Sequence, residues 1–139
     1  MIPLFKVFMA DNVSQKLEPV LKSGYITQGP KVEEYEDALK KWFNYPHILS
    51  LNSATSGLTL ALRLLNLKEG DEVLCTPLTC TATNWPVLAN NLNIKWVDVD
   101  PDTCNMDLQD LENKITNTTK AIIVVHWGGC SIDIRRLNI

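Results

Sequence analysis

The chain has 139 residues, of which 45% are hydrophobic and 21% charged, a composition that suits one domain with a buried core. Its formal net charge of −3 and pI near 5.3, with lysines scattered along the chain, give no basic footprint for nucleic acid or an anionic membrane. The opening MIPLFKVFMADN has no signal-peptide pattern and no apolar run reaches membrane-spanning length, so a cytoplasmic protein is expected.

Val13, Leu17, Val20 and Leu21 recur at helical spacing, with Asp11 or Asn12 as a cap and Ser23-Gly24 as a stop. A loop from Tyr25 to Pro30 follows. Pro30 opens a second helix in which Val32, Tyr35, Leu39, Trp42 and Phe43 form one stripe, expected to be core, facing away from Glu33, Glu34, Glu36, Lys40 and Lys41. Residues 48–51 read as a short apolar strand. It runs into Asn52-Ser53-Ala54-Thr55-Ser56-Gly57 and a helix over 55–65 with Leu58, Ala61, Leu62 and Leu65 on one face.

Gly70-Asp71 turns the chain into a strand over 72–76, and the segment Thr76-Pro77-Leu78-Thr79-Cys80-Thr81 leads into a helix holding Trp85, Val87 and Leu88. Pro86 is tolerable there if it falls in the first turn. A strand over 94–99, a helix over 107–115 and an apolar strand over 121–125 complete the alternation. Apolar strands separated by amphipathic helices imply an α/β fold, a doubly wound parallel sheet covered on both faces. Ligands gather at the carboxyl ends of such strands, where both 52–57 and 76–83 are expected.

The Asn52 to Gly57 segment has two readings. Ser, Thr and Asn are ordinary N-cap residues, so it can be a plain capped helix. It can also cradle a phosphate, because the first helical turn offers unpaired amides and partial positive charge, with Thr55 and Ser56 adding hydroxyls. Convergence of two polar loops on one rim favours the phosphate. The four cysteines, Cys75, Cys80, Cys104 and Cys130, have no metal-ligand spacing and read as buried free thiols, while His47 and His126 form no local pair. Asp98 and Asp100 precede Pro101 as turn carboxylates.

Several segments in series resemble the opening portion of the DegT/DnrJ/StrS family of sugar aminotransferases: Ile2-Pro3-Leu4, Ser23-Gly24-Tyr25-Ile26-Thr27-Gln28-Gly29-Pro30, Asn52-Ser53-Ala54-Thr55-Ser56-Gly57-Leu58, Gly70-Asp71-Glu72-Val73, Val97-Asp98-Val99-Asp100-Pro101-Asp102-Thr103 and Lys120-Ala121-Ile122-Ile123. The resemblance implies the N-terminal part of the large domain of a fold-type-I transferase that uses pyridoxal 5'-phosphate. An arm and helices would occupy residues 1–46 and the α/β sheet portion 47–139. It implies Thr55 and Ser56 at the cofactor phosphate and Thr27 and Gln28 on the substrate side. It also places Cys80 where the family has a ring stacked on the pyridine. That last position is a departure, for which Trp85 could compensate.

The implied substrates are a nucleotide-linked keto sugar and a glutamate-like amino donor, handled by a homodimer that binds neither nucleic acid nor membrane. Amino transfer needs a lysine to form a Schiff base and an acid to keep the pyridine nitrogen protonated. In the family both lie further along than the segments matched here, so a truncated chain with no catalytic residue of its own is expected. The alternatives are a non-catalytic remnant acting as a binding or interaction module, and a sugar dehydratase of the same family, in which the lysine is replaced. A sheet ending near residue 125 would expose an apolar edge, so self-association is expected.

Overall fold

The computed structural model describes residues 2–3 and 6–137, so Leu4 of the opening motif and the end at Asn138 and Ile139 lie outside the described residues. The chain divides into two compact units, residues 1–50 and 51–139.

The first unit carries α1 (Val13–Ser23) and α2 (Pro30–Phe43). Asn12 takes the N-cap position of α1, without a side-chain cap bond, and Gly24 closes the helix at φ 80°, a left-handed conformation that suits glycine. Pro30 opens α2 at its first position, where a missing N–H costs nothing. Gly29 is required by close approach, since a Cβ there would lie 2.9 Å from the Tyr25 Cβ. The aromatic stripe of α2 departs from expectation. Neither helix buries a residue, and Trp42 is 84% exposed beside exposed Tyr35 and Phe43. The spacing is helical as read, but only Val32 and Leu39 of the stripe are half-buried, and its aromatic residues lie exposed.

The predicted strand over 48–51 does not form. A strand needs a partner for its backbone groups. Here the Ser50 N–H and hydroxyl both donate to Glu36 Oε1, each at 2.8 Å. The Ser50 N–H, then its hydroxyl, hold the Glu36 carboxyl below its ordinary value of 4.5, with burial opposing.

The second unit runs α3 (Ala54–Leu64), β1 (Glu72–Cys75), α4 (Thr81–Ala89), β2 (Asn93–Trp96), α5 (Leu108–Lys114) and β3 (Thr119–Ile122), followed by two short 3₁₀ turns. The strands form a parallel sheet in the order β2-β1-β3, with Val73 paired to Ile94 on one side and Ala121 on the other. Side chains alternate across a strand, so β1 feeds two cores. Val73 and Cys75 pack with Leu62 of α3, Val87 of α4 and Leu92. Leu74 points the other way, to Val97, Met106, Leu111 of α5 and Ile132. Helices therefore cover both faces, as the apolar strands require.

The regular strands are shorter than read, yet the pairing continues past them. Val97 N–H still donates to the Cys75 carbonyl at 2.9 Å, and Ile123 N–H to that of Leu74 at 2.9 Å. Pro86 is the sixth residue of α4 rather than in its first turn, and it is buried. Its ring removes the N–H that a helix interior would donate to the Ala82 carbonyl; at its other side the Pro86 carbonyl accepts from Asn90 Nδ2 at 2.8 Å. Of the cysteines, all free, only Cys75 is buried, where desolvation pushes its thiol up to about 12; Cys80 and Cys130 are exposed because both sit in loops at element ends.

Two outcomes follow from this packing. Leu74→Ala should lower unfolding stability by about 2–5 kcal/mol, and Leu64→Ala, at an exposed helix position, by about 0.5 kcal/mol or less, in urea denaturation. Equal effects of the two would contradict the two-core arrangement. The Glu36–Ser50 contact is fully present above pH 4.5 and is lost as pH falls through the lowered carboxyl value. The Ser50 amide resonance should accordingly titrate with a midpoint below 4.5, and Glu36→Gln should abolish that titration.

Candidate active site

The site is built on the start of α3. Ser53 adopts extended backbone at the N-cap, and its Oγ accepts the Ser56 N–H at 3.1 Å while lying 3.0 Å from the Ser56 Oγ. The Ser53 carbonyl takes the Gly57 N–H at 3.1 Å. The Ala54 and Thr55 amides, at the first two helical positions, have no intrahelical acceptor and carry the positive end of the helix dipole. Gly57 is not demanded by packing. A Cβ there would meet only Leu51 Cδ1 at an ordinary 3.6 Å, although glycine inside a helix costs about 0.5–1 kcal/mol against alanine.

Asn90, at the C-cap of α4, joins the two helices. Its Nδ2 donates to the carbonyls of Thr59 at 3.2 Å and Pro86 at 2.8 Å, and its Oδ1 accepts from Arg63 Nε at 3.2 Å. Arg63 in the last turn of α3 thus meets the end of α4, so the helices run side by side in the same direction. Their N-termini face one way, and α4 begins directly after the carboxyl end of β1. Thr55 and Ser56 therefore sit at the rim where strand ends gather.

Between the helices lies an open cavity of about 490 Å³ lined by Thr55, Ser56, Thr59, Leu60, Arg63, Trp85 and Ala89. Trp85, 61% exposed, also walls a neighbouring apolar cavity of about 390 Å³ with Pro77, Thr79, Leu88 and Trp96. Cys80 is the exposed N-cap of α4 and lines neither cavity. Next to it, Thr79 and Thr83 hydroxyls lie 3.0 Å apart and Asn84 Nδ2 donates to the Thr76 carbonyl at 3.1 Å, which fixes the loop after β1. Thr27 and Gln28 belong to the first unit, exposed in the bend between α1 and α2.

No lysine or carboxylate lines the 490 Å³ cavity. Lys95 pairs with Glu72 at 3.4 Å, Lys114 with Asp110 at 2.6 Å, and Lys120 donates to the Asn117 carbonyl at 2.8 Å. Asp100 is committed to its turn. The Thr103 N–H and hydroxyl, with the Asp102 N–H, hold its carboxyl below the usual value of 3.8. Arg63 was not singled out by its sequence context, although Ser56, Thr59, Leu60 and Arg63 recur at three- and four-residue spacing, which puts them on one helix face.

The chain resembles known proteins over nearly all of its length. The sugar aminotransferase CalS13 from Micromonospora echinospora is 52% identical with a TM-score of 0.90, over 99% of this chain and 37% of that one. The UDP-4-amino-4-deoxy-L-arabinose–oxoglutarate aminotransferase of Shewanella sediminis is 35% identical over 96% of this chain and 34% of its own. An E. coli GDP-4-keto-6-deoxy-D-mannose-3-dehydratase, solved with bound hydrated PLP, is 28% identical with a TM-score of 0.88, over 98% of this chain and 36% of that one. The chain spans about a third of the length of the curated relatives it matches. With residues 8–139 matching its family model, the chain belongs to the DegT/DnrJ/EryC1/StrS aminotransferase family.

Proposed function

We propose that this chain provides the cofactor-phosphate part of a pyridoxal-phosphate-dependent aminotransferase acting on nucleotide-linked keto sugars. The observation that carries the reading is the mouth of α3: two amides without intrahelical partners, hydroxyls at Thr55 and Ser56, and a glycine that the protein's own packing does not need. That donor set fits a phosphate ester, which accepts hydrogen bonds from every side. Pyridoxal phosphate, when bound, supplies the electron-withdrawing ring that amino-group transfer requires.

In this reading the Ala54 and Thr55 amides and the Thr55 and Ser56 hydroxyls bind the phosphate. The Ser53 cap holds the first turn in place. The family resemblance assigns Cys80 to the ring as a soft contact; since Cys80 lines neither cavity, Trp85 supplies the apolar wall. The family resemblance assigns Thr27 and Gln28 to substrate binding. The lysine that bonds the cofactor and the acid that protonates its ring come from residues beyond this chain. A glutamate-like donor and the keto sugar are the substrates, and two copies pair, which suits the exposure of Trp42, Phe43 and Leu64.

A dehydratase is the second reading, since a dehydratase is among the structural neighbours. Identity favours the aminotransferase, at 52% against 28%.

Titration of the purified chain with pyridoxal phosphate, followed by equilibrium dialysis, tests the reading. The Thr55→Ala/Ser56→Ala double variant should bind about tenfold more weakly, as expected for lost hydrogen bonds to a charged group. Binding that is equal in the two proteins would refute the phosphate role. Borohydride treatment of the bound form should leave no site-specific pyridoxyl-lysine; a single modified lysine, abolished by its own substitution, would overturn the assignment of that lysine to residues outside this chain.

A further inference from the structure

The mouth of α3 accounts for only one end of the 490 Å³ cavity. The other end holds Arg63, eight residues further along α3 and so about 12 Å away along the helix axis. Eight residues are more than two helical turns, so Thr55 and Arg63 stand on different turns of the cavity wall. Among the described residues Arg63 is the one cation lining the cavity, and the described ion pairs give it no carboxylate partner.

One side-chain hydrogen bond orients it. Asn90 Oδ1 accepts from Arg63 Nε at 3.2 Å, and Asn90 is itself tied to Thr59 and Pro86. The bond uses the inner nitrogen and leaves the outer guanidinium edge for a ligand. A planar guanidinium held by a neighbour recognises oxyanions in two-pronged fashion and loses less freedom on binding than a loose side chain.

We infer that Arg63 is a second oxyanion anchor of this cavity, separate from the Thr55–Ser56 cradle, and that it takes a phosphate or carboxylate of the substrate rather than of the cofactor. The inference rests on the reading of the α3 mouth as the cofactor-phosphate site. Asn90 acts as the positioning residue that presents the guanidinium. Two sources supply the same chemistry: the diphosphate of a nucleotide-linked sugar and the carboxylate of an amino donor.

The test uses the chain saturated with pyridoxal phosphate and two unreactive probes, inorganic pyrophosphate and glutarate, titrated by calorimetry. At least one probe should bind, and Arg63→Gln should weaken that probe about tenfold while leaving the pyridoxal phosphate affinity unchanged. A response to pyrophosphate assigns the diphosphate and a response to glutarate the carboxylate. Arg63→Lys, which keeps the charge and the stem, should lose about threefold through the missing fork, and it decides the matter if Arg63→Gln does not fold.

Failure of both probes to bind, or equal probe affinity in wild type and variants, overturns the inference. An equal loss of pyridoxal phosphate and probe affinity overturns it too, because Arg63 would then belong to the cofactor cradle. Failure of the cofactor-site reading has a different signature, since there the Thr55 and Ser56 substitutions leave pyridoxal phosphate binding intact.

Discussion

The second unit hangs on β1. Val73, Leu74 and Cys75 are fully buried, and their alternation sends two side chains to the α3–α4 layer and one to the α5 layer. Each such side chain contributes on the order of 1.5–3 kcal/mol of burial, so three consecutive residues fix both faces of the sheet at once. The same strand fixes the rim. Its carboxyl end delivers the chain to Thr76, and the bonds of Thr76, Thr79, Thr83 and Asn84 hold the loop from which α4 starts.

From that start the site follows by packing. Leu62 and Val87 seat α3 and α4 on one core, and Asn90 locks their far ends. With both helices parallel, the polar mouth of α3 and the indole of Trp85 share one open cavity. The lining offers hydroxyls at the helix mouth and an indole beside it. Among the described residues, no lysine or carboxylate lines the cavity.

Much of the fold was legible because its signals are local. The Gly24 stop, the Pro30 start, the Gly70-Asp71 turn and the apolar β1 and β3 segments depend on neighbouring residues alone. The failures required knowledge of distant partners. Residues 48–51 have strand-forming side chains, but Glu36, fourteen positions away, captures the Ser50 amide. Pro86 is expected to need the first turn of its helix, yet α4 begins five residues before it, at Thr81. The α2 stripe has core composition, yet its Tyr35, Trp42 and Phe43 lie exposed. The capped start of α3 could be read from the Asn52 to Gly57 chemistry, which is short-range, whereas the placing of Trp85 and Arg63 on one cavity with it is a product of helix packing.

The amides at the start of α3 give the most direct measurement. Nitrogen–proton correlation spectra of the chain, titrated with pyridoxal phosphate and separately with pyridoxal, report which backbone groups meet the anion. The expected result is a large shift of the Ala54, Thr55 and Ser56 amides with pyridoxal phosphate and little change there with pyridoxal. Equal shifts with both compounds, or phosphate-dependent shifts confined to other residues, would contradict the assignment of that helix mouth to the cofactor.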